Sequence, residues 1–457
     1  MEIHLDRPLR AHVTATITIA RGDLHTGEGG ADQLPRHWGA MVSHLSVKRT
    51  SGEPLVVTPL ANKDATRGEW SIAGNYAGPA VVSYDVDLEF ATNKWEPTND
   101  KAGYFDGRAL YVVTKPLFVA STASGPVDVT FAIPARAKLA TPWHADGHVV
   151  HVSTVTDLQQ NTIVVGDFVE QQFRAGSFEF TLAMLGKMRE SSAIAATTMR
   201  AFAEFDARLF PNTPPSGYLL TIFDGDEENG ESYARSAAFV TTHPLTEDTK
   251  IMWGTTQGHE MFHLWCGSQI DGVDSERSQW FIEGFTEYYA DLALLREHIV
   301  PPELFIKKLE NMIGKYVYFR TAPQFSKVSI EDAGTRKTSY RFGVYNGGWA
   351  VAFGMDMTIR AATHGKRSLD DFMRVVYNRF GLTGKKASYD DLVAAAVEVG
   401  GDTLRDVFAK YVRGFEVMPM SAWLTALGYD ALVQDYAAEI YIRDVGATPL
   451  RHAWASP

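Results

Sequence analysis

The stretch Gly258-His-Glu-Met-Phe-His-Leu-Trp265 carries the strongest structural signal in the sequence. It places His259 and His263 four residues apart in a segment, 250–265, that is predicted to be helical. Residues at this spacing lie on one helix face, so both imidazoles can reach one zinc ion, which then needs a third protein ligand and a water. Glu260 can take a proton from the water that the metal acidifies and deliver it to a leaving group. The pattern also arises by chance, so the surrounding sequence has to support it.

A second predicted helix, beginning near Ser278, supplies a candidate for the third ligand. Glu283 follows His263 by 20 positions, across a loop with Gly and Asp that allows two helices to lie side by side. The alternative is a solvated acid on a helix surface. The neighbours of Glu283, however, predict a buried helix: Phe281, Ile282, Phe285, Tyr288 and Tyr289. A buried carboxylate needs a partner, so we predict one zinc ion per chain, held by His259, His263 and Glu283.

Composition and charge exclude several classes of protein. The length of 457 residues suggests two to four domains, and 45% hydrophobic with 21% charged residues is the balance of a globular protein. The net charge of −12 argues against a nucleic-acid partner, because phosphate binding requires clustered Lys and Arg. We find no run of about 18 apolar residues and predict no membrane insertion. Cys266 is the single cysteine, which excludes an intrachain disulfide and a cysteine-based structural zinc site.

The N-terminal segment bears on the compartment. Residues Met1 to Asp6 lack the basic segment and apolar stretch of a signal peptide. This favours a cytoplasmic location, and a periplasmic or secreted one fits if a leader has been removed. The oligomeric state stays unknown at this level.

The order of predicted elements divides the chain into a β part and a helical part. Short runs rich in Val, Thr, Ile and aromatic residues predict an antiparallel sandwich or saddle-shaped sheet. The predicted strands are Ala11–Ile19, Val81–Phe90, Ala109–Val113, Val127–Ile133, His148–Val155 and Ser177–Ala183. A helix over Ser191–Leu209 follows, and then strands over Tyr218–Phe223 and Ser236–Thr242 flank an acidic loop, 224–231. The last third predicts stacked helices with capping hydroxyls at Ser368, Ser388 and Thr403. Pro301-Pro302 is expected to help stop the second motif helix.

Several strings in the second half of the chain are similar to those of a known family. They are Gly258-His-Glu-Met-Phe-His-Leu-Trp265, Trp280-Phe-Ile-Glu-Gly-Phe-Thr-Glu-Tyr-Tyr289, Tyr345-Asn-Gly-Gly348, Arg367-Ser-Leu-Asp-Asp-Phe-Met373 and Phe408-Ala-Lys-Tyr-Val-Arg-Gly414. They resemble the glycyl aminopeptidase family of gluzincin metallopeptidases, relatives of aminopeptidase N and leukotriene A4 hydrolase. The PDZ-like module that often follows in that family is not present before Pro457.

The resemblance implies a multidomain α+β fold. We expect an N-terminal antiparallel β domain of saddle or sandwich type over 1–186 and a thermolysin-like zinc catalytic domain over 187–325. A C-terminal α-helical domain is expected over 326–457.

The resemblance also implies a role for Tyr345. In the wider clan, a tyrosine in a Tyr-x-Lys-Gly context donates a hydrogen bond to the tetrahedral oxyanion, a charge that appears only in the transition state. The lysine of that motif is absent here, Tyr340 is a nearby alternative, and plain packing of these tyrosines is a further one.

The segment expected to bind the free amine of a substrate departs from the family pattern. The family is expected to have Gly-Gly-Leu-Glu-His there, whereas this chain has Asn229-Gly-Glu-Ser-Tyr-Ala-Arg235. Ser232 takes the place of the acid and Glu231 is displaced by one position, which turns a strand side chain to the other face. Glu231 can bind the amine if a β-bulge corrects the register; an exposed acidic loop is the alternative.

Two further residues near the motif differ from the family. Cys266 replaces an expected Asn and is three residues past His263, within possible reach of the metal. A thiolate there would close the open coordination position, so a small buried thiol is favoured. Glu287, one turn beyond Glu283, is predicted to hydrogen-bond a ligand histidine; a salt bridge elsewhere is the alternative.

These observations predict zinc-dependent hydrolysis of peptides. The first candidate is an aminopeptidase that releases small N-terminal residues, with Glu260 as general base and Tyr345 stabilising the oxyanion. An endopeptidase on the same scaffold is the second candidate. A catalytically inactive, zinc-containing binding protein is the third.

Overall fold

A computed structural model of the chain describes residues 1–6, 8–61, 66–89, 103–226, 228–434 and 439–456. The chain divides into two compact units, the first formed by Met1–Ala196 with Pro215–Pro244 and the second by Thr197–Pro214 with Leu245–Pro457. The division into three domains expected from the sequence stays a prediction.

The first unit is built almost entirely of β-strands. In chain order these are β1 (Glu2–His4), β2 (Arg10–Ile19), β3 (Asp23–His25), β4 (Val42–Arg49), β5 (Pro54–Leu55), β6 (Val57–Leu60), β7 (Glu69–Ile72), β8 (Gly78–Asp87), β9 (Gly103–Phe105), β10 (Ala109–Val113), β11 (Val127–Thr130), β12 (Lys138–Ala140), β13 (Ala145–Asp146), β14 (Val149–Val152), β15 (Thr162–Gly166), β16 (Val169–Ala175), β17 (Phe178–Met184), β18 (Ser216–Asp224), β19 (Asn229–Ser232) and β20 (Ser236–Thr241). A short helix, α1 (Val155–Gln159), precedes β15.

These strands form four antiparallel sheets and one mixed sheet. The antiparallel sheets have the orders β1-β2-β8-β4-β5, β3-β7-β6, β12-β15-β10-β9 and β11-β14-β13. The mixed sheet has the order β16-β17-β18-β20-β19, in which β18 pairs in parallel with β17 and β20 while β19 is an antiparallel edge strand. The predicted antiparallel β character of the N-terminal region is therefore confirmed.

Strand β8 illustrates why these segments form sheet. Its residues alternate between buried and partly exposed, and Ala80, Val82, Tyr84 and Val86 are each at most 1% exposed. Such alternation places one strand face in a core and the other towards water. The strand was predicted over Val81–Phe90 and starts three residues earlier; Phe90 lies outside the described residues.

The second unit is mainly helical. Its helices are α2 (Ser192–Leu209, which crosses the boundary of the first unit), α3 (Lys250–Phe262), α4 (Gln279–Arg296), α5 (Pro302–Thr321), α6 (Ile330–Ala333), α7 (Gly348–Ala362), α8 (Leu369–Arg379), α9 (Tyr389–Gly400), α10 (Thr403–Val407), α11 (Met420–Ala426) and α12 (Pro449–Ala455). Strands β21 (Tyr429–Gln434) and β22 (Glu439–Asp444) form an antiparallel pair that the sequence did not predict. In the described part of the chain, no helix combines the length and apolar character needed to cross a bilayer.

Helix termini follow the predicted capping chemistry at two of three positions. Ser368 and Ser388 each form a capping box with the acid three residues later. The prediction for Thr403 was wrong, because Asp402 is the N-cap residue there and makes no side-chain cap. The prolines also act differently from the expectation: α4 ends at Arg296, and Pro302 is the first residue of α5, where a missing N–H leaves no hydrogen bond unmade.

Two glycines bring α4 and α7 into backbone contact. A Cβ atom on Gly284 would collide with the main chain of Gly348, and a Cβ on Gly348 would collide with the carbonyl oxygen of Trp280. Side chains at either position would therefore push the helices apart. The close approach sets the distance between Glu283 on α4 and Tyr345, which lies just before α7.

Candidate metal centre

Helix α3 carries the two motif histidines. His259 lies in its last turn and His263 is the residue that caps its C-terminus. A Cβ atom on Gly258 would collide with the ring of Phe202, so this glycine allows α3 to lie directly against α2. After α3, the indole of Trp265 stacks on Phe210 with ring centroids 5.4 Å apart. The chain is thus fixed on both sides of the histidine pair.

Three potential ligand atoms converge between α3 and α4. The Nε2 atoms of His259 and His263 are 3.1 Å apart, and Glu283 Oε2 lies 3.2 Å from the first and 3.5 Å from the second. All three side chains are buried. Among the described residues they form a group whose ligand atoms all lie within 4.8 Å of one another.

The partners of the other ring nitrogens show that these residues fit a metal ion. His259 Nδ1 is 2.9 Å from a carboxylate oxygen of Glu287, and His263 Nδ1 is 2.8 Å from the carbonyl oxygen of Cys266. These oxygens only accept, so each Nδ1 carries the proton and each Nε2 can offer a lone pair to the centre. Two imidazole nitrogens and one carboxylate oxygen are the donor set of a catalytic zinc site with an open position.

Two lysines bind the carboxylate oxygens of Glu283 and Glu287 that do not face the histidines; these are called the outer oxygens. Lys337 Nζ is 2.5 Å from Glu283 Oε1, and Lys308 Nζ is 2.9 Å from Glu287 Oε1 and 3.3 Å from Asp291 Oδ1. Each glutamate therefore directs one oxygen to a lysine and the other to a histidine. The sequence did not predict either lysine, because both come from segments with no fixed spacing to the motif.

The surrounding charges shift the pKa values of the site. Burial opposes ionisation of Glu283, but the histidines and Lys337 outweigh it and hold its pKa well below the usual range. Burial likewise opposes ionisation of Glu287, and Lys308 with His259 lowers its pKa. Burial disfavours a charged His259, yet Glu283 and Glu287 raise its pKa to about 10. A proton and a metal ion thus compete for the same position.

Glu260 lies next to His259 on α3 and is half-buried. Burial raises its pKa, while the two histidines oppose the shift. A carboxyl group whose pKa is raised towards neutrality is suited to accept and then return a proton.

The structure brings Tyr345 next to the metal ligands. Tyr345 lies in a π-helical turn, Gly343–Gly347, and its ring centroid is 5.9 Å from that of His259. Burial and the negative charge of Glu283 raise its pKa. The alternative, Tyr340, instead packs against Phe325. The position of Tyr345 is compatible with the predicted role, which stays a prediction.

Cys266 is a buried free thiol. Its Sγ lies 3.8 and 3.7 Å from the carbonyl oxygens of Phe281 and Ile282, and burial raises its pKa to about 12. The favoured sequence interpretation, a small buried thiol, is confirmed. The main-chain carbonyl of Cys266, rather than its sulfur, supports the site through His263.

Glu231 lies in the first unit, on the edge strand β19. The paired residues of β19 keep an unbroken register with β20, in which Glu231 lies opposite Ala238 and Ser232 opposite Ala237. The bulge on which the amine-binding role depended is therefore not found among these four residues. Glu231 shares a strand face with the core residues Ala238 and Val240, as expected for a one-residue displacement.

Other acids of the loop 224–231 have partners within the first unit. Asp224 accepts hydrogen bonds from the phenol of Tyr104 and the main-chain N–H of Lys187, both at 2.9 Å. Glu228 accepts from Thr241 and Thr242. Glu227 lies outside the described residues. Asp224 and Glu228 thus serve the fold of the loop.

Comparisons with known proteins agree with this site. Residues 254–346, which include every predicted metal ligand, match the model of the M61 glycyl aminopeptidase family. No curated protein sequence matches the chain significantly.

Solved structures share the fold at low sequence identity. An aminopeptidase N family protein from Idiomarina loihiensis matches with a TM-score of 0.77 and 18% identity, over 95% of this chain and 79% of that one. An M1 zinc metallopeptidase from Deinococcus radiodurans matches with a TM-score of 0.55 and 15% identity, over 92% of each chain. Yeast leukotriene A4 hydrolase matches with a TM-score of 0.55 and 12% identity, over 92% of this chain and 68% of that one. The chain is thus similar to the M61 glycyl aminopeptidases at the site and shares its fold with M1 zinc metallopeptidases, and the family match supports a metallopeptidase enzyme.

Proposed function

We propose that the protein is a zinc-dependent peptidase whose catalytic residues are Glu260 and Tyr345. The observation that carries this proposal is the convergence of His259, His263 and Glu283 directly beside Glu260. Both histidines carry their proton on Nδ1 and can offer Nε2 to an ion. With the carboxylate of Glu283, this donor set supports zinc as the ion, one per chain. An inactive binding protein would have no use for a half-buried general base at this position, so the intact Glu260 favours an enzyme.

The residues around the centre have separate tasks in this proposal. A zinc ion held by His259, His263 and Glu283 would supply a Lewis acid that polarises the scissile carbonyl and acidifies water. Glu260 takes the proton of the attacking water and transfers it to the leaving amine. The phenol of Tyr345 donates a hydrogen bond to the oxyanion of the tetrahedral intermediate.

Supporting contacts keep the ligands in the productive orientation. Glu287 accepts from His259 Nδ1–H, and the carbonyl of Cys266 accepts from His263 Nδ1–H. Both contacts fix the tautomer that offers Nε2 to the centre. Lys337 holds the outer oxygen of Glu283, which leaves the inner oxygen directed at the histidines.

Aminopeptidase action on peptides with small N-terminal residues is the first candidate, supported by the family match to the glycyl aminopeptidases. A variant of the Deinococcus radiodurans enzyme was crystallised with a Tyr-Ser-Ala substrate, which supports peptides as the substrate class. Endopeptidase action is the second candidate. It is favoured by the regular register of β19, which leaves Glu231 without the bulge that amine binding requires.

The deciding experiment compares wild type, Glu260→Gln and a control, Glu247→Gln, which removes an exposed acid before α3. Bound metal is quantified, and each protein is assayed on peptides with free and with acetylated N-termini. We expect about one zinc ion per chain in all three proteins. Loss of the general base should reduce kcat by about 10²–10⁴-fold, while the control keeps full activity.

The outcomes separate the candidates. Cleavage of free peptides alone supports the aminopeptidase, and equal cleavage of acetylated peptides supports the endopeptidase. Bound zinc without cleavage of any peptide would contradict the proposal and leave a zinc-containing binding protein.

A further inference from the structure

Two cations near the candidate centre lack acidic partners. Lys337 and Lys308 are paired with Glu283 and Glu287, as described above. Arg341 and Lys315, in contrast, make no hydrogen bond or ion pair with any residue of the described part of the chain; each lies over an aromatic ring instead. Since the whole chain has a net charge of −12, cations without acids are unexpected here.

Arg341 is placed next to the reacting groups. Its guanidinium carbon lies 5.0 Å from the ring centroid of Tyr345, and the same ring is 5.9 Å from that of His259. A guanidinium that stacks on a ring with its face still has its N–H donors free at the edge. Arg341 is also exposed, so a molecule arriving from solvent can reach those donors.

Lys315 adds a second positive charge on the same side. It lies on α5 with its ammonium 6.0 Å from the ring centroid of Phe342, the residue after Arg341. Burial lowers the pKa of Lys315, and the positive charges of Lys308 and Arg341 lower it further, while the negative charge of Glu287 opposes the shift. Like charges held close together repel each other, so an anion that binds between Arg341 and Lys315 is attracted by both.

We propose that Arg341, assisted by Lys315, forms a subsite that binds a carboxylate group of the peptide substrate. This inference rests on the proposed peptidase function, because it places the carboxylate close to the bond that is cut. A planar guanidinium matches a carboxylate with two parallel N–H donors. The carboxylate is either the free C-terminus of a short peptide or the side chain of an Asp or Glu near the scissile bond.

The test uses pairs of peptides that differ only in one charge. The first pair has neutral side chains and a C-terminal carboxylate or amide. The second pair is longer, is amidated at the C-terminus, and has Glu or Gln next to the scissile bond. Each pair is assayed with wild type, Arg341→Gln and the matched control Arg336→Gln. Arg336 also lies over a tyrosine ring, that of Tyr340, at 4.7 Å, and Tyr340 packs against Phe325.

We expect wild type to prefer the charged member of at least one pair by about tenfold in kcat/KM, the size of a charge-assisted hydrogen bond. Arg341→Gln should abolish this preference, because kcat/KM falls more for the charged peptide than for the neutral one and the larger loss is in KM. Arg336→Gln should keep the preference. The pair with the larger Arg341-dependent preference identifies the source of the carboxylate.

Two results would overturn the inference. One is the absence of a charge preference in wild type. The other is an equal loss on charged and neutral peptides in Arg341→Gln, which would mean that Arg341 only supports Tyr345. If wild type cuts no peptide, the proposed function fails separately. The subsite is then tested by calorimetry with the same pairs, where about tenfold tighter binding of the charged peptide should disappear in Arg341→Gln.

Discussion

The two sides of the metal centre differ in how their charges are compensated. On the side of α5, the half-buried Lys308 forms ion pairs with Glu287 and Asp291, and Glu287 in turn accepts a hydrogen bond from His259. On the side of the segment before α7, the exposed Arg341 lies over the ring of Tyr345 and forms no ion pair with an acid among the residues that the structure describes. A buried charge must be paired within the fold, whereas an exposed charge can be paired by a ligand that binds from solvent. In the proposed function, this difference separates the residues that hold the candidate metal ligands from those that are available to a substrate.

The largest effect, on the free energy of unfolding, is expected from removing Lys308, the cation of the paired side. Lys308→Met leaves the half-buried Glu287 and the buried Asp291 without this cation, and removal of one partner from a buried ion pair costs about 3–5 kcal/mol. Urea unfolding of the metal-free protein should show this loss in the free energy of unfolding. Lys315→Met, a change on the same helix at an unpaired lysine, is the matched control and should cost less than about 1 kcal/mol. Equal losses in the two variants would remove the distinction between the sides.

A smaller effect is expected when the hydrogen bond between Glu287 and His259 is weakened. Glu287→Gln replaces a charged acceptor of His259 Nδ1–H by a neutral amide, and loss of such a supporting group weakens metal binding by about 10–100-fold. Competition with a chromophoric chelator measures this affinity. Glu303→Gln, an exposed acid at the start of α5, should bind zinc like wild type. An unchanged affinity in Glu287→Gln would show that the hydrogen bond is not used.

The smallest effect is expected from moving α4 and α7 apart, because Tyr345 of the second side lies just before α7. Gly284→Ala introduces a methyl group against the main chain of Gly348, and overpacking of this kind costs about 1–3 kcal/mol. The displaced helix is α7, which begins just after Tyr345. Tyr345 should therefore shift, and kcat should fall while zinc remains bound. In Gly254→Ala the new methyl meets only ordinary contacts at 3.5 Å and beyond. That control should keep kcat and gain helix stability, and equal kcat values in the two variants would contradict the packing argument.

The convergence of the three candidate metal ligands was predictable from the sequence because local geometry determines it. His259 and His263 are fixed by helical spacing, and the apolar neighbours of Glu283 required a partner for its carboxylate. Lys308, Lys337 and Arg341 were not predicted. They reach the site from segments whose positions follow from tertiary packing, and a lysine or arginine on a helix surface has no pattern that distinguishes it from a solvated one.

The fold was predictable to a similar extent. Strands such as Ala109–Val113 were placed correctly, because short apolar β-branched runs indicate buried strands. The hairpin of β21 and β22 was missed in a region whose other signals were helical. The π-helical turn at Gly343–Gly347 was missed as well, since no residue pattern specifies the wider hydrogen bonding of such a turn.

That turn has an evolutionary consequence. A π-helical turn is equivalent to a regular α-helix into which a single residue has been inserted. Deleting one codon from the segment 343–347 would restore regular hydrogen bonding and rotate the preceding residues by about 100° relative to α7. Arg341, which precedes the turn in the same helical segment, would then leave the ring of Tyr345 or the ring would leave the metal ligands. A change of one residue in the length of this turn can therefore replace the side chain that lies beside the candidate centre. The rest of the helix is kept.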